Sequence, residues 1–95
     1  MNSSDLNLLS LVIPARGEEG CMADTVKALN DVLNSASVPH EIVVVDDGST
    51  DNTWIILEKL KQEVTELKPV RNEEPHGFGR AIVKGLNSSK GDAVV

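Results

Sequence analysis

One cysteine, Cys21, in 95 residues leaves no partner for a disulfide within the chain. A cross-linked secreted scaffold is therefore excluded, and a reducing, cytosolic setting is the direct reading. Cys21 itself reads as helix packing. Basic residues are also scarce: nine Lys and Arg stand against fifteen Asp and Glu, for a net charge of −6. That balance argues against a nucleic-acid partner, which calls for a basic face, and is compatible with a carboxylate-rich, metal-dependent site. No apolar run is long enough to span a bilayer. Residues 1–7 lack the basic start and apolar stretch of a signal peptide and read as a flexible N-terminus. Internal repeats and low-complexity tracts are absent. The triplets Asn2-Ser3-Ser4 and Asn87-Ser88-Ser89 match the glycosylation pattern, which a cytosolic chain meets by chance.

What is present is an alternation of strands and helices. Residues 8–13 form an apolar strand stopped by Pro14, and residues 15–20 a polar loop. Met22, Val26, Leu29 and Leu33 then recur at helical spacing, laying one apolar stripe against a sheet. After a connection broken by Pro39, residues 41–45 form a strand in which 42–45 are an uninterrupted β-branched run, the pattern of a parallel strand covered on both faces. A turn follows in which Ser49 or Asp51 would cap the next helix. In that helix Trp54, Leu57, Leu60, Val64 and Leu67 keep the period, with Trp54 read as core. A strand at 68–71 contains Pro69 and so belongs at a sheet edge or at the strand's start. A polar loop, a glycine-led helix at 78–86 and a fourth strand at 93–95 complete the order. The expected fold is α/β and Rossmann-like, with a mainly parallel sheet and helices on both faces.

Three loops fall at the carboxyl ends of strands, where doubly wound sheets keep their ligands: residues 14–19, 46–49 and 75–80. They hold nearly all the unusual chemistry. Asp46 and Asp47 must accept hydrogen bonds, hold a metal, or serve turn and cap chemistry, since Asp-Gly is a strong turn signal. Glu18 and Glu19 sit where acids favour a helix macrodipole with no ligand at all. Arg16 and Arg80 suit phosphates and equally suit solvated loops. Gly77 and Gly79 either approach a ligand or start a helix close to the sheet. His76 is a ligand contact or a solvated loop residue, Asp92 opens a strand or caps a turn, and His40 is placed at the surface.

The segments Val12-Ile13-Pro14-Ala15-Arg16-Gly17-Glu18-Glu19, Ile42 through Thr53 with its Asp46-Asp47-Gly48-Ser49 core, and Gly77-Phe78-Gly79-Arg80-Ala81 through Gly85 and Gly91-Asp92 together resemble the family 2 glycosyltransferases. That group includes the dolichyl-phosphate mannosyl- and glucosyltransferases. The resemblance runs from about Leu8 to the end of the chain, and its second segment is the most specific. It implies the N-terminal, nucleotide-binding half of a GT-A fold, a UDP- or GDP-sugar donor, and inverting transfer to an acceptor such as a polyprenyl phosphate. By the same resemblance the nucleotide is bound by Pro14, Ala15, Arg16, Glu18, Asp46, Asp47, Gly48, Gly77 and Arg80. A fixed carboxylate suits either base, because uracil offers N3–H and guanine N1–H with its amino group, whereas the N3 lone pair of cytosine is repelled. Where the family usually has asparagine this chain has Gly17, so a side-chain amide is missing there.

The resemblance also implies Mg²⁺ or Mn²⁺, held by an Asp-x-Asp motif just after the strand that begins at Asp92. That motif and the general base are expected beyond Val95, so residues 8–95 read as a domain truncated at its C-terminal end and catalytically inactive by itself. A full-length enzyme would work at the cytoplasmic face of the membrane, and the cut sheet edge favours a homodimer. Two rivals stand beside this reading. In a response-regulator receiver, Asp46 and Asp47 would bind Mg²⁺, but that acid pair belongs to a first strand. A dinucleotide-binding domain would need a glycine where Ile82 stands. Strand order separates the first two: a transferase sets the acid-bearing strand beside a central first strand, a receiver beside the last.

Overall fold

The apolar runs and helical stripes assemble into a four-stranded parallel sheet with helices on both faces. The structure is a computed structural model and describes residues 8–73, 76–91 and the backbone of 93–94; residues 1–7, Pro75, Asp92 and Val95, for which expectations were stated, lie outside the described residues. In chain order the elements are β1 (Leu9–Ala15), α1 (Met22–Ser35), β2 (His40–Asp46), α2 (Thr53–Glu63), β3 (Leu67–Arg71), α3 (Phe78–Ser88) and β4 (Ala93–Val94).

Strand order is β3-β2-β1-β4 and every pairing is parallel. The strand carrying the acids therefore lies between β1 and β3, and β4 pairs with β1 instead. That arrangement is the transferase order and not the receiver order. Residues of β2 alternate between two cores, which explains its unbroken apolar run. Ile42 and Val44 pack with Met22, Val26, Leu57 and Leu60 under α1 and α2. Val43 and Val45 pack with Ala81 of α3 on the opposite face. Burying those four side chains contributes roughly 1.5–3 kcal/mol each.

On its face of the sheet, α3 packs unusually close. A methyl group on Gly85 would collide with Val12 Cγ1 and stand 3.0 Å from Val45 Cγ2. Below it, Lys68 Nζ donates to Ser88 O at 2.5 Å, a cation at the negative end of a helix. At the amino edge of the sheet Ser10 donates to Glu41 (2.5 Å) and accepts the Gly91 amide (2.8 Å). The Lys90 amide donates to the same Glu41 oxygen, so this small, partly exposed cluster around the buried Ser10 leads the chain from α3 into β4. Burial pushes the Glu41 carboxyl up, but the Lys90 and Ser10 hydrogen bonds and the Lys68 and Lys90 charges outweigh it and hold Glu41 below the usual glutamate range.

Several expectations are corrected. Pro14 does not stop β1, which runs on through Ala15. The Ala15 carbonyl accepts from Asp47 N on the β2 side, so the Pro14 nitrogen faces away from β2 and no ladder hydrogen bond is lost there. The α2 helix ends at Glu63, and Val64 turns extended at φ −114° and ψ 96°. Val64 and Leu67 are buried as the periodicity implied, but Leu67 is already in β3, paired with Ile42. Pro69 sits on β3, an edge strand, as its chemistry requires. His40 is only 6% exposed, its ring bridging Val38 O (2.8 Å) and Asn30 Oδ1 (2.6 Å). Trp54 packs partly buried against the core, with the Arg71 guanidinium 5.0 Å above its ring. Cys21 is exposed rather than packed. It sits at the N-cap of α1 with its thiol donating to Glu18 Oε2 at 3.2 Å. That bond, with the Glu18 and Asp24 charges, pushes the thiol pKa up.

Candidate functional site

The parallel topology puts the ends of β1, β2 and β3 side by side, so the loops that follow them meet at one edge. Their backbones are tied together. Asp47 N donates to Ala15 O (2.8 Å) and Asn72 N to Asp46 O (2.9 Å). Gly17 N donates to Ser49 Oγ and Glu18 N to Thr53 Oγ1, both at 2.9 Å. Gly17 has φ +68°, a left-handed conformation that glycine takes freely and asparagine tolerates best among other residues.

Neither Ser49 nor Asp51 is the N-cap of α2, which is Asn52 without a side-chain cap bond; from the residue before it, Asp51 Oδ1 accepts from Thr53 N (3.0 Å) and Thr53 Oγ1 (2.5 Å). The Thr53 hydroxyl foremost, then the Thr53 and Glu19 amides, hold the Asp51 carboxyl below the usual range against a smaller desolvation cost. Ser49 is used across the loops instead, accepting from Gly17.

The two neighbouring acids are treated very differently. Asp47, 5% exposed, draws in the loop after β3. Its Oδ1 accepts from Asn72 Nδ2 (2.8 Å) and His76 Nδ1 (3.1 Å), and its Oδ2 from Gly77 N (2.9 Å). Burial pushes this carboxyl up, yet the Asn72, Gly77 and His76 hydrogen bonds win and hold it below the usual aspartate value. Asp46 is 1% exposed; its Oδ1 accepts from Ser49 N at 3.1 Å, and its buried Oδ2 has no partner among the described residues.

Two glycines make this geometry possible. Gly48 has φ +80°, and the position a Cβ would take lies 2.7–3.0 Å from three atoms of the His76 ring. The imidazole therefore rests on bare backbone. Gly77 has φ 146° and ψ 151°, a region reserved for glycine, and this turns its N–H onto Asp47 before α3 begins.

Above Asp47 opens a recess of about 250 Å³ lined by Pro14, Ala15, Arg16, Asp47, Gly77 and Phe78. Five of the nine residues named from the sequence line it. Asp46, Gly48 and Glu18 lie beneath or beside it and shape the loops: Glu18 O accepts from Cys21 N and Met22 N, and its carboxylate faces Cys21. Arg80 is exposed on the first turn of α3, outside the lining. Asn72 and Phe78 were not singled out from the sequence. Asn72 is the first polar residue after β3, level with the acids, and that register was its available signal. Phe78 is 74% exposed, an apolar face presented to solvent at the mouth of the recess.

A model of the Glycosyl transferase family 2 matches residues 10–95. The chain belongs to the family 2 glycosyltransferases. Among its relatives, an undecaprenyl-phosphate 4-deoxy-4-formamido-L-arabinose transferase of Aeromonas hydrophila is 31% identical over 96 residues, covering all of this chain and 29% of the relative. Staphylococcus aureus TarS superposes with a TM-score of 0.73 at 28% identity, over 92% of this chain and 26% of that structure. Glucosyl-3-phosphoglycerate synthase of Mycobacterium tuberculosis, solved with Mn²⁺, UDP-glucose and phosphoglyceric acid, superposes at 0.68 and 25% identity, over 93% and 31%. The chain thus spans less than a third of each of these proteins.

For a family 2 glycosyltransferase the question of a cation follows, since that solved neighbour holds Mn²⁺. Among the described residues no three His, Cys, Asp or Glu side chains gather as a metal site. A hard cation takes several oxygen ligands, whereas Asp47 has given both its oxygens to N–H donors. Asp46 and Asp47 do not fit a metal centre. Among the described residues no helix is long and apolar enough to cross a membrane.

Proposed function

We propose that this chain is the nucleoside-binding part of an enzyme that moves a sugar from a nucleoside diphosphate to an acceptor. The observation that carries the reading is Asp47, an ionised carboxylate fixed by three donors on the floor of a recess where three strand-end loops converge. Such a group accepts a ring N–H of a base and turns away a ring lone pair. Phe78 supplies an apolar face for the base plane to cover. Pro14 and Ala15 form the wall opposite, and Arg16 and Arg80 supply positive charge for the phosphates.

In the reaction an acceptor oxygen attacks the anomeric carbon as the bond from that carbon to the diphosphate breaks, the electron pair leaving with the diphosphate. Attack opposite the leaving group inverts the centre. A polyprenyl phosphate is the acceptor class we infer, supported by the Aeromonas relative, and it would place the work at the cytoplasmic membrane face. The divalent cation that would neutralise the diphosphate, and the base that would receive the acceptor proton, we assign to residues other than those described here. Residues 1–95 alone are expected to bind nucleotide without transferring sugar.

Calorimetric titration with nucleoside diphosphates tests the reading. Saturable binding that weakens at least tenfold in Asp47→Asn is expected. Equal binding by Asp47→Asn would remove Asp47 from the site.

A further inference from the structure

We propose that His76 determines base specificity by filling the second acceptor position of Asp47 Oδ1, so that the recess accepts uracil or thymine and discriminates against guanine. The inference rests on the nucleotide-binding reading above. An ionised carboxylate has about four acceptor positions, two on each oxygen. On Asp47, Oδ1 receives both Asn72 Nδ2 (2.8 Å) and His76 Nδ1 (3.1 Å), and Oδ2 receives Gly77 N (2.9 Å). Among the described residues these donors leave one acceptor position, on Oδ2.

Guanine presents two donors side by side, N1–H and the amino group, and a carboxylate meets them with one free position on each oxygen. Here the second donor finds Oδ1 occupied. Asp46 cannot help, because its unpartnered Oδ2 is buried and the residue does not line the recess. Uracil and thymine present a single ring N–H between two carbonyl oxygens, which matches one free acceptor. Adenine and cytosine offer a ring lone pair at the corresponding position and are repelled.

The imidazole is held to this task. Its Nδ1 faces a carboxylate and so carries the proton, and its ring lies over Gly48 where any Cβ would intrude. The imidazole thus supplies a flat ring for that bare backbone and a donor to Asp47 at one position.

The test is calorimetric titration of the chain with UDP, dTDP, GDP and ADP, repeated on His76→Ala and His76→Phe. An unmatched buried donor makes the expected preference for UDP and dTDP over GDP roughly tenfold to a hundredfold. Both variants free a position on Oδ1 and should narrow that preference by improving GDP. His76→Phe keeps a ring over Gly48 but donates nothing, so narrowing in His76→Ala alone would mean that bulk, not acceptor count, sets the choice, and would overturn the proposal. GDP binding as well as UDP in the parent chain would overturn it too, while leaving nucleotide binding intact. No binding of any diphosphate would instead sink the nucleotide reading itself.

Discussion

Asp46 and Asp47 are adjacent and both buried, yet replacing them should have very different consequences for stability. Asp47→Ala strands three donors at once: the Asn72 amide, the His76 ring and the Gly77 N–H. At about 1 kcal/mol net for each bond the loss is roughly 3 kcal/mol. For a domain of this size that lowers the melting temperature by roughly 12–24 °C, and the loop after β3 detaches from the end of β2. Asp46→Ala removes one bond, to Ser49 N, worth about 1 kcal/mol. It also removes a buried oxygen that has no partner, whose desolvation costs a similar amount, so the net change should stay within about 1 kcal/mol. Thermal unfolding followed by circular dichroism, with urea titration at 25 °C, measures both. An Asp46→Ala variant as damaged as Asp47→Ala would refute the reasoning, because it would mean that burial alone, and not the number of donors served, sets the cost.

Gly85→Ala should destabilise by roughly 1–3 kcal/mol through overpacking, since the added methyl meets Val12 and Val45 across the α3 face; urea unfolding at an unchanged m-value checks it. Asp47, Asp51 and Glu41 all have carboxyls held below their usual range. A lowered folded pKa contributes stability that is complete above the unfolded value, about pH 4, and is lost as pH falls through the folded value. Urea midpoints should therefore be flat near neutrality and fall below about pH 4, less steeply in Asp47→Asn. The Cys21 thiol, raised by its bond to Glu18, should alkylate more slowly at neutral pH than a cysteine in a peptide, and Glu18→Gln should speed it.

The β2 strand was legible because its residues are apolar without interruption, which only burial on two faces demands. Pro69 announced an edge in the same direct way. Local patterns misled where a period outlived its element: Val64 and Leu67 continue the α2 stripe, but the chain has already turned to pair Leu67 with Ile42. Pro14 misled in the opposite sense, since a proline interrupts a strand only on the side where its nitrogen must donate. The loops that form the recess were legible as strand ends rich in acids and glycines. The division of labour between Asp46 and Asp47 was not, because it depends on Asn72, His76 and Gly77, 25 to 30 residues away in sequence. His40 was misplaced for a similar reason, its partner Asn30 being contributed by α1.

The central claim is that Asp47 holds the base of a nucleoside diphosphate. A crystal structure of the protein with UDP tests it most directly. The account predicts the uracil in the recess beside Phe78, its N3–H donating to Asp47 Oδ2 while Asn72, His76 and Gly77 keep their bonds to the same carboxylate. Uracil bound elsewhere, or Asp47 turned away from the base to coordinate a cation, would contradict it.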